Sequence, residues 1–152
     1  VYTLLLVGAF PARPAEAVTV DQVVRAKVQG KRIYDFANAL SEADERRIQD
    51  QMEAIENAGK AQGVVLVTDR VEGLTPQEFA LDVLTRWGVG AKGTENGFVL
   101  LVSIQDRSWR LETGYGLETV LPDTVTSRLG RERLVPKLRT RDYAGAISDT
   151  VE

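Results

Sequence analysis

Three carboxylates fall within "LETGYGLETVLPD", from Leu111 to Asp123: Glu112, Glu118 and Asp123, set around Gly114 and Gly116. Acidic oxygens beside glycine backbone could hold a hard cation, because calcium and magnesium take carboxylate and carbonyl oxygens. The same residues also fit plainer roles. Asp123 follows Pro122 in a helix-start pattern, where an acid meets the positive end of the helix dipole. Taken locally, Asp123 reads first as that acid. "GYGLE" stays open between close approach to a ligand and a tight exit from a strand. Asp35, in "IYDFANALS", precedes a helix and reads locally as a capping or solvated aspartate.

The chain has no cysteine and no histidine. Thiolate nucleophiles, disulfides, cysteine metal sites, the usual proton shuttle and the commonest zinc ligand are therefore excluded. Hydrolytic chemistry would have to use carboxylates, hydroxyls, Lys/Arg or an oxygen-bound cation. Ser/Thr acyl transfer has little support, with no histidine base and no Ser-x-x-Lys pairing. "WGVGAKGTENG" holds four glycines but matches neither a phosphate-binding Walker pattern nor a dinucleotide fingerprint. It reads as a shaped loop carrying Glu95 and Asn96 to the sheet edge. "SRLGRERLVPKLRTRDY" concentrates Arg128, Arg131, Arg133, Lys137, Arg139 and Arg141. Such a run is either an anion-contact surface or the solvated face of a helix. It lacks the interleaved aromatics of a nucleic-acid platform. With 19 basic and 22 acidic side chains, the net charge of -3 gives no general case for nucleic acid either.

Elements must position these groups. At 152 residues the chain suits one domain with a sizeable core. Ser41 with Asp44 caps a helix carrying Ile48, Met52 and Ile55, which Gly59 stops. "GVVLVTD" and "GFVLLVSI" read as strands buried on both faces. Between them, Thr75-Pro76 opens a helix with Phe79, Val83, Leu84 and Trp87 on one stripe, ended by Gly88. Gln105-Asp106-Arg107 turns a hairpin into the half-exposed strand "SWRLET". Pro122 opens a third helix through Val125 and Leu129, which Pro136 interrupts or ends. "DYAGAISDTVE" starts a fourth. The segment before Leu40 has mixed periodicity and reads only as a lead-in. This alternation predicts a single α/β domain with helices on both faces of a small mixed sheet.

The first residues, "VYTLLLVGAFPARPAEA", pair a short apolar run with Ala15-Glu16-Ala17. That pattern fits the end of a secretory signal peptide cleaved after Ala17. The expected mature domain is 18–152, exported to a periplasmic or extracellular space. The apolar run is too short to span a bilayer.

The order "IYDFANALS", "GVVLVTD", "RWGVG", "NGFVLLVSIQDR", "RLETGYGLE" and "LPD" before a basic helix resembles the TPM domain family, from about Ile33 to Ser148. The resemblance implies an α/β/α sandwich around a small mixed central sheet. It also implies an extracytoplasmic domain, often tethered by a C-terminal membrane segment. Some members bind calcium, acid phosphatase activity has been attributed to plant members, and others act as partners of membrane-protein complexes. Carried over by residue, Asp35, Asn96, Glu118 and Asp123 would form an oxygen-rich metal site, with Glu95 as an addition. The favoured expectation is a module holding a divalent cation, calcium before magnesium, beside a surface for a membrane-protein complex. The alternative is a metal-assisted phosphatase acting on a phosphorylated small molecule. There Asp35 or Glu118 would be the general base, and Arg107 or Arg110 would help bind the anion. A metal-free α/β scaffold is the third reading.

Overall fold

The computed structural model describes residues 15–90 and 93–152. Of the expected signal peptide, 1–17, residues 1–14 lie outside the described part, while Ala17 at the expected cleavage point stands in a strand. The chain opens with strand β1 (Ala17–Val18), helix α1 (Val20–Arg25), strand β2 (Ile33–Asp35) and helix α2 (Glu42–Asn57). Strands β3 (Gln62–Thr68) and β4 (Arg70–Val71) follow, then helix α3 (Pro76–Trp87) and the hairpin of β5 (Gly97–Ser103) and β6 (Ser108–Thr113). A 3-10 turn (Tyr115–Leu117) leads to α4 (Asp123–Leu129), a π-helical turn (Gly130–Leu134), α5 (Val135–Arg139) and α6 (Tyr143–Val151).

The central sheet runs β2-β3-β5-β6; the first three strands are parallel and β6 is an antiparallel edge. Alternation along the buried strands divides the core into two layers. On one face Ile33, Val65, Val67, Leu100, Val102 and Leu111 pack against Ile48 and Met52 of α2 and against Leu134, Ala146 and Ile147. On the other, Tyr34, Val64, Leu66, Val99 and Leu101 meet Val23 of α1 and the Phe79, Val83, Leu84 and Trp87 stripe of α3. This is the α/β/α sandwich that the periodicities predict. The steps β2 to β3 and β3 to β5 move the same way across the sheet. Their helices, α2 and α3, nevertheless cover opposite faces, so one of the two crossovers must be left-handed, against a strong general preference.

The helix starts follow the capping rules. Ser41 Oγ accepts from Asp44 N, and Thr75 and Glu78 form a complete capping box with Pro76 in the first turn. Two segments differ from the sequence expectation. The lead-in contains β1, α1 with its own Thr19–Gln22 capping box, and the sheet strand β2. These are two, six and three residues long, too short for periodicity to reveal them. The third helix starts one residue later than predicted, with Pro122 as its cap, and the helical run continues through Pro136 by way of a π turn rather than ending there. A proline ring clashes with the carbonyl four residues back. The π turn before it widens the register, and Pro136 enters α5 in its first turn.

Candidate functional site

The loop from Leu111 to Asp123 lies at the amino end of the parallel strands. Its glycines are required by close packing rather than by an unusual backbone angle. A Cβ on Gly116 would stand 1.9 Å from the Thr94 carbonyl oxygen, and one on Gly114 would stand 2.4 Å from that of Glu95. Gly116 N donates to Glu95 O at 3.0 Å and Gly114 N to Gly97 O at 2.8 Å, so the two loops are sewn together through their backbones. Glu112 accepts from Arg110 Nε at 2.7 Å, and the same guanidinium lies 3.5 Å from Asp123. Arg110 thus ties the last strand to the start of α4. Glu118 is exposed, and its side chain makes no hydrogen bond or ion pair among the described residues. Thr94 Oγ1 donates to Asn96 Oδ1 at 2.8 Å.

The register places Asp35 at the other end of the sheet. Asp35 is level with Val67, whereas Gly97, next to Asn96, is level with Gln62. At ~3.3 Å per residue the two levels are roughly 16 Å apart along the strands. No single ion could therefore touch all of Asp35, Asn96, Glu118 and Asp123, and Asp35 and Glu118 cannot act on one reacting atom. Asp35 accepts from Ala37 N at 3.1 Å and Leu40 N at 2.8 Å, which closes the loop into α2. Burial and the neighbouring Asp35 charge raise the carboxyl pKa of Glu45 above its ordinary value, with Lys31 pulling the other way.

The carboxyl end of the sheet carries groups that the sequence analysis treated as strand ends and turn residues. β2 ends at Asp35, Asp69 directly follows β3, and Asp106 lies in the turn three residues after the end of β5. A row of hydroxyls, Thr68, Ser103 and Ser108, crosses this end on one face of the sheet. Ser103 Oγ donates to Asp106 Oδ2 at 2.8 Å, and Val71 N donates to the same oxygen at 3.0 Å. The flanking hydroxyls, Thr68 Oγ1 and Ser108 Oγ, are buried with no hydrogen-bond partner among the described residues. Buried polar atoms are normally hydrogen-bonded, so two orphans in one row call for an explanation. The legible signal was the endings "LVTD" and "SIQD", which put an acid after each of two buried strands. Open parallel sheets bind ligands at this end. Among the described residues, no three Asp, Glu, Cys or His side chains are grouped to hold a metal ion. A cation here would need hydroxyl and carbonyl oxygens beside Asp69 and Asp106, and the unpartnered Thr68 and Ser108 oxygens are of that kind.

The basic run is divided by the fold. Arg133 donates to Asp149 O at 3.2 Å and Lys137 pairs with the Asp149 carboxylate, which raises the ammonium pKa above its ordinary value. Arg139 and Arg141 instead line a cavity beside the β5–β6 hairpin.

The family model described as the TPM domain matches residues 33–152. The N-terminal domain of a protein from P. gingivalis has a similar solution structure, with 30% identity, a TM-score of 0.79, and coverage of 90% of this chain and 88% of that one. The N-terminal domain of a Corynebacterium glutamicum protein is similar with 14% identity and a TM-score of 0.67, over 83% of this chain and 78% of that one. The BA42 protein of the psychrophilic bacterium Bizionia argentinensis is similar at 16% identity and TM-score 0.60, over 77% and 79% of the two chains. No curated protein matches the chain. The ordered motifs, the mixed sheet between two helical layers and the match over 33–152 together show that this chain belongs to the TPM domain family.

Proposed function

We propose that this TPM domain is an exported accessory module, which binds a partner in a membrane-associated complex at the carboxyl end of its sheet. Calcium is the divalent cation that fits this end. The observation that carries the reading is the row of hydroxyls, in which Thr68 Oγ1 and Ser108 Oγ are buried and unpartnered beside Asp69 and Asp106. A calcium ion accepts hydroxyl, carbonyl and carboxylate oxygens in a flexible shell. Bound there, it would offset the aspartate charges and stiffen the loops that follow β3 and β5. Export is supported by the apolar N-terminal run that ends in Ala15-Glu16-Ala17.

A phosphate-monoester hydrolase is the second reading, favoured by the arginines gathered near the same end. It is the weaker one: of the two alternative general bases, Asp35 is occupied by Ala37 N and Leu40 N, and Glu118 lies at the end of the sheet opposite the arginines. Calorimetric titration of calcium into the full chain, with a phosphate-monoester assay on the same material, separates the readings. The module reading expects saturable calcium binding and no turnover. Calcium- or magnesium-dependent turnover would replace it with the hydrolase.

A further inference from the structure

A cavity of about 670 Å³ opens between the β5–β6 hairpin and the corner joining α5 to α6. Its size is that of a ligand pocket rather than a packing flaw. Trp109, Val135, Leu138 and Tyr143 supply an apolar and aromatic wall, and Arg107, Arg139 and Arg141 supply the charge. Trp109 is firmly seated, since a Cβ on Gly130 would stand 1.9 Å from its ring. None of the three guanidinium groups has an ion pair or hydrogen bond among the described residues. The acids beside them in sequence serve other partners: Asp106 takes Val71 N and Ser103 Oγ, and Asp142 takes Gly145 N. Among the described residues no carboxylate lines the cavity with these three positive charges.

Backbone conformation adds a second observation. Arg107 and Arg141 have φ of 51° and 61°, a left-handed conformation that ordinarily belongs to glycine or asparagine. Large side chains are thus held at two costly positions, and both line this one cavity. Such strain concentrates at functional sites.

We propose that this cavity docks an acidic peptide segment of the partner protein, with one apolar or aromatic side chain seated against Trp109, Leu138 and Tyr143 and flanking carboxylates on the arginines. The charges come from two walls, Arg107 on the hairpin and Arg139 and Arg141 on the helical corner. That distribution suits several separated carboxylates better than one compact oxyanion. Guanidinium groups pair with carboxylates through two parallel hydrogen bonds, and an aromatic anchor inside a charged rim is the usual anatomy of a peptide-sized hot spot. The proposal rests on the accessory-module reading and names the chemistry of its partner; it does not require the cation.

The test is an amide NMR titration of the full chain with the blocked pentapeptide Glu-Asp-Phe-Asp-Glu, with Gln-Asn-Phe-Asn-Gln and phenyl phosphate as separate arms. Saturable shifts confined to 102–109 and 135–143, weakening as salt rises and absent with the neutral peptide, are expected. Arg139→Ala and Arg141→Gly should each weaken binding by at least about tenfold. Arg141→Gly should leave the melting temperature unchanged or raised, because glycine accepts the left-handed backbone; a merely structural arginine would not give that split. Equal binding of the neutral peptide, undiminished binding by the variants, or no saturable shift would overturn the proposal. Tighter binding of phenyl phosphate at the same residues would overturn it in favour of a small-oxyanion site. Loss of the docking claim without turnover leaves the module reading standing, whereas metal-dependent turnover removes that reading whatever the peptide does.

Discussion

The glycines and acids that look most functional at the amino end have local structural work. Gly116→Ala would push a methyl group into the Thr94 carbonyl, 1.9 Å away, and should cost about 1–3 kcal/mol, read as a lower urea midpoint at unchanged slope. Glu118→Gln, at an exposed side chain with no partner among the described residues, should stay within about 0.5 kcal/mol. Two other acids give opposite pH behaviour. Burial works to raise Glu56, but hydrogen bonds from Gln62 and Arg32 and the Arg32 charge outweigh it, so its carboxyl is held below the usual value. Its contribution is therefore present above the unfolded pKa, about 4.3, and is lost as pH falls through the folded pKa. Glu45 is raised by burial, then by Asp35 and Glu42, so it favours folding at low pH and loses that contribution as pH rises through its folded pKa. Urea unfolding from roughly pH 3 to 7 should show Glu56→Gln with a shallower acid loss than wild type. Glu45→Gln should gain stability relative to wild type toward neutral pH, by less than about 1 kcal/mol.

At the scale of elements, the turn residues carry the informative departures. Arg107→Gly should stabilise the hairpin by up to about 1 kcal/mol, the relief of a left-handed non-glycine residue set against the added freedom of the unfolded chain. A raised melting temperature checks it, and a lowered one would show that the Arg107 side chain contributes to folding. The long elements were legible because their signals are redundant: Ile48 and Met52 at helical spacing after Ser41, the Thr75–Glu78 box before the Phe79–Trp87 stripe, and near-continuous Val/Leu runs in β3 and β5. The short ones were not. Ile33–Asp35 gives only three residues of pattern, and it becomes a strand because β3 supplies a parallel partner. Pro136 announced a break that a π turn absorbs, and the Leu134 of that turn packs in the core. The candidate site was only partly legible for the same reason. Residue types identified Asp35 and Glu118, but the direction of each strand decides which acids share an end.

For the whole molecule, the two core layers fix a sheet whose ends differ in kind. The amino end is closed by loops whose backbones hydrogen-bond to one another around Gly97, Gly114 and Gly116. The carboxyl end presents three aspartates, two unpartnered buried hydroxyls and, beside the hairpin, a cavity rimmed by arginines. This contrast supports the proposal that function lies at the carboxyl end. The cation binding proposed there would stabilise the folded state by mass action, by about 2.7 kcal/mol at a hundred times the dissociation constant. The most direct measurement is the calcium-dependent melting shift of the full chain after exhaustive chelation, compared among Asp69→Asn, Asp106→Asn, Glu118→Gln and Asp123→Asn. A shift lost in Asp69→Asn and Asp106→Asn, and kept in Glu118→Gln and Asp123→Asn, is the predicted result. No shift, or a shift lost in the amino-end variants instead, would contradict the assignment.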